Sequence, residues 1–166
     1  MRKEWIGFII GLFFISVLIR WLPHPPNLTS IGAISILSGR YFSSLWGKLG
    51  FPLLTMVVSD SLLGFSLITP FVYLSVVMIS LFSHWRKSVS VGTVLGSSMI
   101  FFLLSNLGVF ILGGYGYSWE GLLLCYTMAI PFFWNTLIGD LLWTGILYFL
   151  GSRLYTRGWI PKRVVG

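Results

Sequence analysis

The stretch VSVGTVLGSSMIFFLLSNLGVFIL, Val89–Leu112, holds no charged side chain and no proline. A helix needs about 20 mostly apolar residues to cross the hydrocarbon core of a bilayer, and this run supplies them without a break. It reads as a membrane span, and its neighbours on either side read the same way.

Four more runs precede it, from Trp5 to Leu22, Ser30 to Trp46, Leu49 to Phe65 and Pro70 to Trp85. The first stops at Pro23-His24-Pro25-Pro26-Asn27, where three prolines forbid continuation of a helix. Thr29 or Asn27 can cap the second helix. Pro52 falls in the first turn of the third, where its missing N–H is tolerated. After Val89–Leu112 comes the glycine- and tyrosine-rich segment Gly113–Gly121, which suits a tight surface loop. Leu122 to Ile130 is helical in pattern but too short to span; it lies in or near the interface, or leads into the last helix. Pro131 opens or kinks a final span ending near Gly151. The expected fold is all-α: a bundle of about six transmembrane helices in one domain, residues 1–166.

Composition agrees. Of 166 residues 56% are hydrophobic and 9% charged, and the mean hydropathy is +0.90. A soluble domain of this size needs far more charged surface. The net charge of +7 does not imply nucleic acid, because the basic residues stand at the ends of the apolar runs rather than on one face. They suit anionic headgroups and membrane lipids. The single cysteine, Cys125, excludes an internal disulfide and a multi-cysteine metal cluster; it reads as a small packing residue. No metal site and no cofactor are expected. Met1-Arg2-Lys3 followed by an apolar run resembles a signal peptide without a cleavage site, so the run is expected to stay as the first helix.

Charge also orients the chain. With the N-terminus inside, the cytoplasmic segments carry Arg2, Lys3, Arg40, Lys48, Arg86, Lys87, Arg153, Arg157, Lys162 and Arg163, and the outer segments carry Arg20 alone. Such a bias is the positive-inside signature. It places both termini in the cytoplasm of a multi-pass inner-membrane protein.

Polar groups within lipid are costly, so their positions carry information. By depth along their helices, Asp60, Asn106, Asn135 and Asp140 lie at mid-membrane or in the outer half. Arg20, His24, Asn27 and Glu120 lie at the outer boundary, near Tyr115 and Tyr117. Thr136, Asp140 and Thr144 recur every four residues and share a helix face. These residues are expected to line a cavity open to the outside, with the Tyr115–Glu120 loop as its lid. Gly7 and Gly11 form a GxxxG pair on the first helix, Gly92 and Gly96 another on the fifth, and Ser35 with Gly39 a small pair on the second. Such faces permit close helix approach, either inside the bundle or against a partner.

The stretches Leu22–Ala33, Ser59–Gly64, Ser105–Val109 and Ile130–Asp140 resemble those of an uncharacterised family of small bacterial membrane proteins. That family is regarded as similar to the substrate-binding (S) components of energy-coupling factor (ECF) transporters. The resemblance implies a six-helix protein that captures a vitamin-like micronutrient from the outer side. It also implies a partner, a coupling subunit with its ATPases, docked on the first helix at Gly7 and Gly11. S components show alanines on that face where this chain has glycines.

Uptake of a small solute is thus the expected function, with no enzymatic activity. Three outer carboxylates beside Arg20 and His24 favour an amine-bearing or heteroaromatic solute. A structural or assembly subunit of a membrane complex is the alternative. An intramembrane aspartyl enzyme using Asp60 and Asp140 fits less well, because Leu137 stands where a GxGD motif has glycine. The orientation is testable by cysteine accessibility in a Cys125→Ser background. A cysteine at Tyr117 should react with an impermeant reagent from outside intact spheroplasts, and one at Lys87 should not.

Overall fold

The structure, a computed structural model, describes residues 3–156. Among the described residues it is all-helical, with six α-helices and no strand: α1 Lys3–Trp21, α2 Ile31–Tyr41, α3 Leu45–Leu63, α4 Thr69–Arg86, α5 Val91–Ile111 and α6 Trp119–Thr156. Two of them, Val91–Ile111 and Trp119–Leu154, are long and apolar enough to cross a membrane; Ile6–Trp21 is a shorter apolar helix.

Three boundaries differ from the sequence expectation. The second helix ends at Tyr41 rather than Trp46, because Ser44 accepts a hydrogen bond from Gly47 N (3.1 Å) and caps α3. At 11 residues, α2 rises about 16 Å, half of a hydrocarbon core. The earlier start of α3 puts Pro52 inside the helix, not in its first turn. Proline lacks the N–H that would bond the Lys48 carbonyl one turn back; Ser38 Oγ, reaching over from α2, donates to that carbonyl instead (2.8 Å). Finally, no boundary falls at Pro131: of the two readings of Leu122–Ile130, the one in which it leads into the last helix holds. It is the start of α6, which continues through Pro131 for 38 residues.

The short α2 is the centre of the molecule. Ile31, Ala33, Ile34, Ser35, Ile36, Leu37, Ser38, Gly39 and Tyr41 are all buried, and α3, α4, α5 and α6 pack around it. The approach to α4 is closest at Gly39, where a Cβ would collide with the Ser80 carbonyl oxygen. There Ser83 Oγ donates to Ile36 O (2.7 Å). Three apolar clusters surround α2, centred on Ile34 and Leu37, on Ile31, Met56 and Val76, and on Ile36, Ile79 and Val94.

Beside these clusters many hydroxyls are buried, and many large apolar side chains are exposed. Ser35, Ser59, Ser75, Ser80, Ser83, Ser97 and Ser98 are fully buried, while Phe14, Leu18, Leu103, Leu123, Met128 and Phe149 are exposed. Most buried hydroxyls are satisfied by donating to a carbonyl one turn back, as Ser35 does to Ile31 O and Ser59 to Thr55 O. Small back-bonded side chains let helices approach closely; Ser16, Ser30, Ser97 and Thr144 keep buried hydroxyls without a partner.

Charge is segregated as well. Ser38 meets Lys48, Lys48 Nζ meets His84 Nδ1 (3.0 Å), and Gly151 lies beside Tyr41 and Phe8. One end of the bundle therefore gathers the start of α1 and α3 with the close of α2, α4 and α6. Lys3, Arg40, Lys48, Arg86, Lys87 and Arg153 belong to those segments. His84 lies in the last turn of α4. Arg2, Arg157, Lys162 and Arg163 lie outside the described residues. Replacing Gly39 by leucine should destabilise the fold by about 1–3 kcal/mol through overpacking. Gly50→Leu, at a site where a Cβ meets nothing, should shift thermal unfolding in detergent far less.

Candidate functional site

At the opposite end, where α1 closes and α2 begins, lies a cavity of about 280 Å³. Its wall is mixed. Arg20, His24, Asn27, Thr29, Thr136 and Asp140 supply polar groups, and Ile31, Met56, Val72, Val76, Ile79 and Phe101 supply apolar surface. Every helix contributes, together with the proline-rich loop.

The arginine is held from behind. Arg20 Nη2 donates to Asp60 Oδ1 in an ion pair that is largely shielded from solvent. The Tyr73 hydroxyl donates to Asp60 Oδ2 (3.0 Å), so both carboxylate oxygens are occupied and α1, α3 and α4 are tied together. The guanidinium is less complete. Nη1 contacts the Met56 sulfur, a weak acceptor, and Nε is buried without a partner.

Asp140, 3% exposed, enters from α6 across the cavity. Ser98 Oγ on α5 donates to its Oδ2 (2.7 Å), while Oδ1 has no hydrogen-bond partner among the described residues. Glycine at position 32 makes room for it, since a Cβ there would collide with the Asp140 carboxylate.

The loop between α1 and α2 forms the mouth. Asn27 adopts φ 66°, a left-handed conformation that asparagine tolerates, and its carbonyl accepts Thr29 N (3.0 Å). Asn135 Nδ2 donates to Pro26 O (3.1 Å), and Gly139 lets Leu28 lie against α6. His24 Nδ1 bonds the Leu22 carbonyl (2.6 Å). A carbonyl can only accept, so Nδ1 carries the hydrogen, and a neutral ring leaves Nε2 as a free acceptor.

The residues singled out from sequence are therefore only partly gathered. Arg20, His24, Asn27 and Asp140 line the cavity, with Asp60 directly behind Arg20. Asn135 anchors the loop rather than facing the cavity. Asn106 donates to Phe102 O (2.7 Å) and lines an adjoining cavity of about 190 Å³ that shares Asn27, Val72, Phe101 and Thr136 with the first. Its carbonyl is contacted by Cys125 Sγ (3.4 Å). Tyr115, Tyr117 and Glu120 line neither. The Tyr117 hydroxyl donates to Ile111 O (3.1 Å) and its ring packs on Phe110, which fastens the 113–118 loop over the junction of α5 and α6. The expected lid is thus elsewhere, and the His24–Thr29 loop occupies the mouth. Thr144 is buried on the same α6 face but away from the cavity, its hydroxyl unpartnered.

Four contributors escaped the sequence reading: Gly32, Met56, Tyr73 and Ser98. Gly32 was visible only as a small residue after the capping segment. The others are side chains common to any apolar helix and become informative only by juxtaposition.

A family model described as "Family of unknown function (DUF6580)" matches residues 2–158. The chain belongs to that family. No curated protein and no solved structure matches it. The match spans all six helices, so the cavity and the loop that roofs it fall within the family's shared region.

Breaking a buried ion pair from one side leaves an uncompensated charge and costs about 3–5 kcal/mol, whereas replacing both partners with apolar residues is often neutral. Arg20→Met and Asp60→Leu should therefore each destabilise the protein strongly, and the double variant should recover most of the loss. Equilibrium unfolding in mixed micelles, with the coupling read from the four-protein cycle, measures this.

Proposed function

We propose that this chain is a six-helix bacterial inner-membrane protein that captures a small micronutrient-like solute from the outer side in the Arg20–Asp140 cavity, much as an S component does. The observation that carries the reading is the cavity itself: a recess with both polar and apolar walls, at the end of the bundle away from the basic residues. The positive-inside rule turns the basic end to the cytoplasm, so the cavity faces outward. The many buried hydroxyls and exposed large apolar side chains of the bundle support lipid as its surroundings. The short α2 is the exception among the proposed spans. It reaches about half the bilayer and is enclosed by its neighbours, leaving the outer half of its path to the loop and the cavity.

A binding role is favoured over an aspartyl enzyme by the separate engagement of the two carboxylates. Asp60 is committed to Arg20 and Tyr73, and Asp140 to Ser98, with no hydrogen bond between them that would let them share a proton.

A second reading, a subunit that docks on another membrane protein, draws on α1. A Cβ at Gly7 or Gly11 would meet nothing within 4 Å. Gly11 borders an apolar groove between α1 and α6. That bare surface is compatible with the coupling-subunit partner implied by the S-component resemblance, and docking and capture are not exclusive.

Native mass spectrometry of protein extracted with its own lipids tests the capture reading. The wild type should carry a solute of roughly 100–200 Da, a size suited to a cavity just under the usual ~300–1,000 Å³ range. Gly32→Leu, which drives a side chain into the Asp140 carboxylate, should lose it. Equal spectra for the two, with bare protein throughout, would leave the docking subunit as the better account.

A further inference from the structure

This inference rests on the cavity's being a solute site and concerns which chemistry it selects. The ionisable groups of the site are unequally satisfied. Asp60 has a donor on each oxygen. Arg20 has one carboxylate oxygen for its five N–H groups; Nη1 rests on the Met56 thioether and Nε has no partner. Guanidinium forks match carboxylates bidentately, and this one is half used. On the other wall, Asp140 holds the Ser98 hydroxyl on one oxygen only. An arginine short of oxygen and a carboxylate short of a donor thus border one small cavity, which the apolar side chains of Met56, Val76, Ile79 and Phe101 also line.

We propose that the cavity selects a small amphoteric solute: a carboxylate or similar oxygen acceptor for Arg20, an N–H donor for Asp140, and a compact apolar or aromatic body between them. The same two residues supply discrimination by repulsion. A polyanion would meet Asp60 and Asp140, a simple cation would meet Arg20, and a wholly apolar solute would leave both groups unpaired. This narrows the amine-bearing or heteroaromatic solute expected from sequence, because it requires an acceptor as well as a donor.

Three probes of matched shape separate the terms: 4-(aminomethyl)benzoate, benzoate and benzylamine, each titrated by calorimetry into the full chain in nanodiscs. The bifunctional probe should bind at least tenfold more tightly than either parent. Asp140→Asn should weaken both amine-bearing probes at least tenfold and leave benzoate within about twofold. Arg20→Lys, which keeps a cation for Asp60 but removes the fork, should do the reverse. Gly32→Leu and Val72→Trp, which obstruct the cavity from two different helices, should abolish binding while thermal unfolding shows each variant folded. Binding that both blocking variants abolish, but that shows no preference for the bifunctional probe, would overturn the amphoteric assignment and leave the solute site standing. Absence of binding by all three probes would also overturn it, and the mass spectrometry of co-purified solute would then decide the site separately.

Discussion

A guanidinium and a carboxylate face each other near one end of the bundle, and much of the surrounding arrangement follows from keeping them together. Asp60 stands in the last turn of α3 and is buried, and a buried charge without a partner is costly. Asp60 reduces that penalty by taking Arg20 from α1 and the Tyr73 hydroxyl from α4. Three helices are thereby fixed at one depth, and the chain leaving α1 must turn within a few residues to enter α2. Pro23, Pro25 and Pro26 supply that turn, and Asn135 and Gly139 seat it on α6. The cavity is the space left under this loop.

The rest of the bundle solves a different problem, close packing with little apolar contrast between inside and outside. Around α2 the side chains are small: Ala33, Ser35, Ser38 and Gly39. Their hydroxyls donate backward along the helix or across to a neighbour, as Ser38 does to the carbonyl orphaned by Pro52. Backbones then approach closely, which gives dispersion contacts where a hydrophobic driving force is weak. At 11 residues, α2 is enclosed by its neighbours, with the loops on either side of it at its ends.

How far this was legible in the sequence depends on the kind of signal. Charge segregation was legible, because the positions of Lys and Arg at segment ends need no tertiary information. The structure gathers the described basic residues, Arg20 excepted, at one end. Helix number was legible from the proline cluster and the apolar runs. The close of α2 was not, since Ser44 competes as a cap against an apolar run that continues past it. The continuity of α6 was one of two alternatives, because a proline can either open a helix or be carried inside a long one. Asp60, Asn106, Asn135 and Asp140 were expected to converge because polar groups in lipid are costly; Asp140 lines the cavity and Asp60 lies behind Arg20. Asn106 and Asn135 obeyed the same rule by local means, one bonding its own helix and the other the loop, and so did not need the cavity. Tyr115, Tyr117 and Glu120 share its depth but not its side of the bundle, a distinction that depth along a helix cannot make.

The proposed site is a cavity entered from the Arg20 end of the bundle. Val72, half-buried on its wall, reports on this directly when replaced by cysteine in a Cys125→Ser protein. In intact spheroplasts a membrane-impermeant thiol reagent should modify it from the outer side, at a rate lowered by occupancy of the cavity. Modification only from the cytoplasmic side, in inverted vesicles, would contradict the account.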